Sequence, residues 1–158
     1  MIKTAIILAA GCGSRLRPHL DDELPKGALP LGNQSIIETS IQTLIECGIN
    51  TIIIGPGHGD AYYNQLAMNY PQVLCIKNPI FDASGSMHTL SLLIPHVTSD
   101  ALLLESDLIY EKRALTFAMD FPEDNLILAT PFNNYGDEVF IDVDLNDQLK
   151  SMSKDRPH

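Results

Sequence analysis

Two glycines and two basic residues near the start of the chain form the pattern most able to do chemistry. Gly11 and Gly13 follow a short apolar run, and Arg15 and Lys26 come after them. Glycines allow backbone N–H groups to converge on an anion, and basic side chains add positive charge. A glycine-rich loop of this kind, placed directly after a buried strand, is therefore expected to bind phosphate.

The common phosphate-loop motifs do not fit this stretch. The dinucleotide fingerprint requires a third glycine where this chain has Leu16. The mononucleotide P-loop, with Gly-Lys-Ser/Thr after four intervening residues, is absent as well. A plain strand-to-turn connection is the structural alternative, and it leaves Arg15 and Lys26 without a role.

The pattern resembles the nucleotidyltransferase family that activates sugars and phospho-alcohols. Two spaced motifs carry the resemblance, Leu-Ala-Ala-Gly-x-Gly-x-Arg from Leu8 to Arg15 and then Pro25-Lys26. Members of this family take an NTP and a phosphorylated acceptor and release pyrophosphate. The resemblance implies that the first loop binds the nucleotide through Leu8, Ala9, Ala10, Gly11, Gly13, Ser14, Arg15 and Lys26.

Arg15 and Lys26 are the basic residues that the resemblance assigns to catalysis. Attack on the α-phosphorus builds negative charge on its oxygens and on the leaving pyrophosphate. Fixed cations stabilise that charge more in the transition state than in the ground state. For Arg17 two roles stay open, a contact with phosphate and a solvated position beside the site.

An acidic segment, Glu105-Ser106-Asp107, directly follows an apolar run. The family has an aspartate at this point that binds the catalytic metal, so the resemblance implies Mg²⁺ as cofactor, Asp107 as its catalytic ligand and Ser106 as a nucleotide contact. Mg²⁺ prefers oxygen ligands and substrate phosphates. A helix N-cap is the structural alternative for Asp107, and the role of Glu105 stays open.

A third segment begins at Asn78-Pro79 and continues to a small polar cluster. In the family this region reads the base and the ribose, and the variant seen here resembles the branch that uses CTP to load phosphocholine or 2-aminoethylphosphonate. The candidate nucleotide contacts are Ser84, Gly85, Ser86 and Met87. An ordinary helix cap by Ser84 or Ser86 is the alternative, and both roles can coexist at a helix N-terminus.

Other suggestive residues are expected to be structural. Residues 55–59, Gly-Pro-Gly-His-Gly, contain no Lys or Arg and are interpreted as a tight connection rather than a second phosphate site. Tyr62-Tyr63 is interpreted as a packing pair rather than a cation cage. The five histidines lack the spacing of a zinc site.

Alternating apolar runs predict an α/β fold, a Rossmann-like three-layer sandwich with a mostly parallel central sheet and a C-terminal β-hairpin. The all-apolar run at 101–104 is expected to be a central strand. Helices are predicted at residues 35–47, 60–68, 86–93 and 112–119. Strands are predicted at 2–8, 51–54, 73–76, 101–104 and 126–129, followed by a hairpin of 138–143 and 148–152.

Length and charge limit the functional classes. The 158 residues suit one domain, and the net charge of −10 argues against nucleic-acid binding. Three widely spaced cysteines suggest reduced thiols, and no apolar stretch is long enough for a signal peptide or a membrane span. We therefore expect a cytoplasmic protein without membrane insertion, and a homodimer is among the expected assemblies.

The resemblance leads to a cytidylyltransferase that uses CTP and a small phosphorylated or phosphonate acceptor. Another NTP with a sugar 1-phosphate or molybdopterin as acceptor is the alternative within the same class. Family members add acceptor-binding elements after the hairpin, so residues 1–158 are expected to form a single nucleotidyltransferase domain that lacks this part. A nucleotide-binding but catalytically incomplete regulatory or partner-dependent module is the alternative of another class.

Overall fold

The computed structural model describes residues 2–11, 24–131 and 138–155. The chain divides into two compact units, Met1–Asp124 and Asn125–His158, and each is described by itself. The expected single domain over residues 1–158 stays a prediction. Within the described ranges, no helix is both long and apolar enough to cross a membrane.

A four-stranded parallel sheet forms the centre of the first unit, in the order β5-β4-β1-β6. A two-residue antiparallel pair, β2 with β3, precedes the first long helix. In the part of this unit that the structure describes, the strands are β1 Thr4–Ala9, β2 Pro30–Leu31, β3 Gln34–Ser35, β4 Thr51–Pro56, β5 Val73–Cys75 and β6 Ala101–Glu105.

Four α-helices within the described residues cover this sheet on both faces. They are α1 Ile36–Glu46, α2 Asp60–Ala67, α3 Ser86–Leu93 and α4 Lys112–Asp120. Buried residues of α1, α2 and α4 pack with one face of the sheet, and Leu93 of α3 packs with Ile6 and Ile53 on the other. The predicted three-layer α/β sandwich with a parallel sheet is therefore confirmed.

Helix α1 shows why the sequence-based bounds are good where end signals are strong. Ser35 accepts a hydrogen bond from the backbone N–H of Glu38, and the Glu38 carboxylate accepts from the Ser35 N–H, which completes a capping box. Gly48 follows the helix with φ of 86°, the left-handed conformation expected after a helix end.

The second unit contains the predicted C-terminal hairpin. Strands β7 Phe140–Val143 and β8 Leu149–Ser153 pair antiparallel. The Asp144 carboxylate accepts hydrogen bonds from the backbone N–H groups of Asn146 at 2.8 Å and Gln148 at 3.0 Å, and Asp147 takes a φ of 59°. A short acceptor side chain and one left-handed residue thus close the turn.

Two strand predictions are wrong. Strand β6 pairs only with β1 among the described strands, so it lies at the edge of the sheet, and Leu103 is 54% exposed. Residues 126–129 form no strand, and Ile127 and Leu128 are each 51% exposed. An apolar run indicates burial, but it does not specify a partner strand or a place in the sheet.

Candidate functional site

Several candidate residues among those that the structure describes lie at the carboxyl end of the parallel sheet, because they follow the carboxyl ends of its strands. Ala10 and Gly11 follow β1, residues 57–59 follow β4, Asn78 comes shortly after β5, and Asp107 comes after β6. Open α/β sheets bind ligands at the carboxyl ends of their strands. The topology therefore brings together segments that are far apart in sequence.

Lys26 and Asp107 are the two predicted catalytic side chains that the structure places in direct contact. The Lys26 Nζ lies 3.3 Å from Asp107 Oδ2, across 81 residues of sequence. The two side chains are 36% and 40% exposed, so both remain open to solvent. A cation and a carboxylate that face each other at this edge can each turn to a charged ligand.

A short 3-10 turn, Lys26–Ala28, carries the lysine. The Ala28 N–H donates to the Pro25 carbonyl at 2.9 Å, and the Leu29 N–H donates to the Lys26 carbonyl at 3.1 Å. Gly27 is buried inside the turn. The backbone of this segment is thus fixed by its own hydrogen bonds, independently of the Lys26 side chain.

Glu105 adds a second carboxylate to this part of the site. Partial burial raises its pKa, the charge of Asp107 raises it further, and Lys26 acts in the opposite direction. The folded protein therefore favours the protonated form of Glu105 more than the unfolded chain does. Above the ordinary carboxyl pKa of 4.5, its ionisation lowers the stability of the fold.

The Glu105→Gln variant is expected to be more stable than the parent at neutral pH. The amide removes a partly desolvated charge beside Asp107, and we expect the melting temperature at about pH 7 to rise above that of the parent. The gain should disappear at about pH 3.5, where the parent carboxyl is protonated in both states.

Thermal melts at several pH values measure this effect, with Glu111→Gln as the control. Glu111 is exposed and pairs with Arg113 at 2.9 Å, so its replacement should not raise the melting temperature. A Glu105→Gln variant that melts below the parent at neutral pH would contradict the assigned electrostatics.

Gly57, in the glycine-rich stretch of residues 55–59, lies at a junction between segments of the site. A Cβ on Gly57 would lie 2.5 Å from the Phe81 Cβ and 2.9 Å from the Ala10 carbonyl oxygen. The backbone at Gly57 therefore approaches both the loop after β1 and the segment that follows Asn78. Such close approach is available only to glycine.

Gly59 makes the corresponding contact with the lysine turn. It precedes α2 with φ of 67°, and a Cβ there would lie 2.6 Å from the Pro25 Cδ. Pro25 directly precedes Lys26, so the Gly59 backbone supports the turn that carries the lysine. This packing agrees with the interpretation of residues 55–59 as a tight connection.

The Gly59→Ala variant is expected to lose stability for two reasons that a control can separate. A left-handed alanine costs roughly 1–2 kcal/mol, and the clash with Pro25 adds about 1–3 kcal/mol. Gly32 has the same φ of 67° but no atom within 4 Å of its Cβ position. Urea unfolding should therefore show a larger loss for Gly59→Ala than for Gly32→Ala, and equal losses would contradict the Pro25 contact.

Asn78 is a buried anchor for the third candidate segment. Its side chain is fully buried, and its amide N–H₂ donates to Ser84 Oγ at 2.9 Å and Thr89 Oγ1 at 3.0 Å. Its side-chain oxygen accepts from the Ile80 N–H at 3.1 Å. These contacts fix the loop that leads into α3.

The helix caps considered as structural alternatives are absent at the starts of α3 and α4. Gly85 is the N-cap residue of α3 and no side chain caps this helix, whereas Ser84 bonds to Asn78 instead. Glu111, not Asp107, precedes α4. The capping alternatives for Ser84, Ser86 and Asp107 are therefore wrong, and Gly85, Ser86 and Met87 are exposed at the start of α3.

The other predicted site residues differ in how far they are exposed to solvent. The side chains of Leu8 and Ala9 are buried in the core, and the Leu8 carbonyl accepts from the Ser106 N–H at 3.0 Å. Ser106 is 8% exposed, whereas Gly11 is exposed with open space around it. Gly13, Ser14, Arg15 and Arg17 lie outside the described residues.

Sequence reasoning missed the anchoring role of Asn78 and the packing role of Gly57 and Gly59. The available signals were an asparagine directly before a proline and glycines at every second position. For Tyr62 and Tyr63 the packing interpretation agrees with the structure, because their rings meet edge to face with centroids 5.7 Å apart. Across the described ranges, no group of three metal-ligating side chains occurs.

Comparison with known proteins gives a consistent family match. The model of the MobA-like NTP transferase domain matches residues 5–157. The chain is 38% identical over 89 residues to the CTP:phosphoglutamine cytidylyltransferase of Campylobacter jejuni, covering 54% of this chain and 33% of that protein. It is 37% identical over 71 residues to a putative UTP–glucose-1-phosphate uridylyltransferase of Methanocaldococcus jannaschii, covering 44% of this chain and 25% of that protein.

A solved structure of the CTP:phosphocholine cytidylyltransferase from Streptococcus pneumoniae is also similar. It matches with a TM-score of 0.61 and 33% identity, over 67% of this chain and 46% of that one. The matched part is thus less than half the length of each of these three proteins.

Proposed function

Because the chain belongs to the MobA-like NTP transferase family, we propose that it transfers a cytidylyl group from CTP to a phosphonate or phospho-alcohol acceptor. The contact between Lys26 and Asp107 at the carboxyl edge of the sheet is the observation that carries this proposal. It puts a candidate phosphate ligand and a candidate metal ligand within 3.3 Å of each other, which suits a triphosphate bound with its metal.

The proposed reaction needs no protein nucleophile. An anionic oxygen of the acceptor forms a bond to the α-phosphorus of CTP. The bond from that phosphorus to the bridging oxygen breaks, and pyrophosphate leaves with the electron pair. Lys26 stabilises the negative charge that develops on the phosphate oxygens, and orientation of the two substrates lowers the barrier further.

The residues present fit a magnesium ion. Mg²⁺ is usually held by one or two carboxylates together with substrate phosphates and water. Asp107 would hold it, and Glu105, which is electrostatically coupled to Asp107, is the nearest second carboxylate in sequence. The ion would supply positive charge to the triphosphate when it is bound.

Two observations favour CTP. The segment from Asn78 to Met87 resembles the branch that uses CTP, and two of the similar proteins named above are CTP-dependent. The similarity to a putative uridylyltransferase supports the alternative, in which another NTP reacts with a sugar 1-phosphate.

Parallel binding and turnover measurements test the proposal. Calorimetry with each of the four NTPs and Mg²⁺ gives the nucleotide preference. Pyrophosphate release with phosphocholine, 2-aminoethylphosphonate and glucose 1-phosphate gives the acceptor class. We expect CTP to bind best and to react with one of the first two acceptors. CTP binding without turnover would support the catalytically incomplete module, and release only with UTP and glucose 1-phosphate would support the sugar alternative.

A further inference from the structure

The Tyr63 hydroxyl is an exception to the usual pairing of buried polar groups. The side chain lies in α2 and is 0% exposed. Its hydroxyl is the one buried side-chain polar atom in the described part of the chain that has no hydrogen-bond partner. Buried tyrosine hydroxyls normally find a partner, so this orphaned group calls for a physical explanation.

The hydroxyl lies where the two catalytic segments meet. A Cβ on Gly27 would be 2.9 Å from the Tyr63 hydroxyl oxygen and 3.1 Å from the Ser106 carbonyl oxygen. Gly27 directly follows Lys26, and Ser106 directly precedes Asp107. The Tyr63 hydroxyl and the Ser106 carbonyl therefore both lie against Gly27, the residue next to Lys26.

Tyr63 stays neutral in this position. Burial raises the pKa of its phenol to about 12, so the group remains an O–H. Ser106 and Gly27 are near enough to influence the phenol, but neither meets the geometry of a hydrogen bond. The hydroxyl thus acts on its neighbours through its volume and its dipole.

We propose that Tyr63 is a positioning residue that sets the separation of Lys26 and Asp107. Its hydroxyl packs against Gly27, which also lies close to the Ser106 carbonyl, and this packing fixes where the Lys26 side chain begins relative to Asp107. The structural claim is independent of any substrate. Its catalytic consequence rests on the proposed function.

The first test measures Lys26 in the ligand-free protein. An ion-paired ammonium group is acylated more slowly than a free one, and peptide mass spectrometry gives the rate for each lysine. We expect Lys26 to be acylated at least about twofold faster in Tyr63→Phe than in the parent. Asp107→Asn, which removes the partner of the ion pair, should also raise this rate. Lys112, which pairs with Glu46 at 3.0 Å, is the internal reference and should not change. An unchanged Lys26 rate in Tyr63→Phe would overturn the proposal.

Tyr62→Phe is the matched control for this experiment. The neighbouring tyrosine donates its hydroxyl hydrogen bond to Ser35 Oγ at 2.8 Å, at the start of α1. Its loss should lower the melting temperature and leave the Lys26 rate unchanged. Tyr63→Phe keeps the ring and loses no hydrogen bond, so its melting temperature should equal or exceed that of the parent. An equal change of the Lys26 rate in both variants would show a general effect of α2 and would overturn the specific role of Tyr63.

Gly27→Ala examines the same contact from the other side. The added methyl group clashes with the Tyr63 hydroxyl, so the variant should melt below the parent. In the Tyr63→Phe background the same substitution should cost less, because the oxygen atom is gone. Equal losses in both backgrounds would contradict the contact.

Turnover gives the catalytic readout. In pyrophosphate release, Tyr63→Phe is expected to lower kcat by about 10- to 100-fold and to leave KM for CTP within about twofold, because misplaced groups lose orientation rather than binding. If the parent protein turns over no NTP, the proposed function fails, while the acylation result still decides the positioning claim. If the parent is active and Tyr63→Phe matches it in kcat and in Lys26 acylation, only the positioning claim fails.

Discussion

Lys26→Ala is expected to release pyrophosphate about 100- to 1,000-fold more slowly than the parent, since loss of one preorganised charge-stabilising group typically costs about 3–4 kcal/mol in the transition state. The fold should survive because the lysine turn is held by backbone hydrogen bonds of 2.9 and 3.1 Å. The Lys26 side chain is 36% exposed, which is consistent with a role toward a ligand rather than in the core. Pyrophosphate-release kinetics and a thermal melt measure the two parts of this prediction.

Lys112→Ala is the matched control for this variant. Lys112 also forms one ion pair with a carboxylate, at 3.0 Å from Glu46, but it begins α4 and its partner is the last residue of α1. The control should keep the parent rate. If the Lys26→Ala protein turns over CTP at nearly the parent rate, Lys26 has no catalytic role.

Asp107→Asn is expected to raise the Mg²⁺ concentration needed for half-maximal pyrophosphate release. Loss of a group that only supports a metal ligand already costs about 10- to 100-fold in metal affinity or activity, so we expect a shift of at least about tenfold. Stability should change little, because Asp107 does not cap a helix and its side chain is 40% exposed. A Mg²⁺ titration of the initial rate measures the shift.

Asp60→Asn separates this effect from the general loss of a paired carboxylate. Asp60 pairs with Lys77 at 3.0 Å at the start of α2. Its Mg²⁺ midpoint should equal that of the parent. An unchanged midpoint in Asp107→Asn, together with a large fall in melting temperature, would indicate that Asp107 has a structural role.

Much of the fold could be predicted because local signals repeat along the chain. The capping box at Ser35 and the left-handed Gly48 mark both ends of α1, and helical spacing identifies its buried face. The position of β6 could not be predicted in this way. Its apolar residues indicate burial. Its place at the edge of the sheet depends on pairing with β1, almost a hundred residues earlier, and no local sequence pattern predicts this pairing.

The candidate site was predictable to a similar extent. Lys26 and Asp107 were predicted from their motifs, and their contact follows once both segments lie at the same edge of a parallel sheet. The supporting contacts were not predictable, because each joins residues that are distant in sequence. Nothing near Gly59 shows that Pro25 packs against it, and helical spacing indicates that Tyr63 is buried but not where its hydroxyl lies.

The most direct measurement of the central claim follows the acceptor oxygen into the product. The protein is incubated with CTP, Mg²⁺ and phosphocholine or 2-aminoethylphosphonate whose phosphoryl oxygens carry ¹⁸O, and the products are analysed by ³¹P NMR and mass spectrometry. We predict a CMP-linked acceptor with ¹⁸O in the new bridge, one pyrophosphate for each product, and strongly reduced formation in Lys26→Ala and Asp107→Asn. Formation of the labelled product at the parent rate in both variants would contradict the assignment of the site, and CTP that stays intact with either acceptor would contradict the proposed reaction.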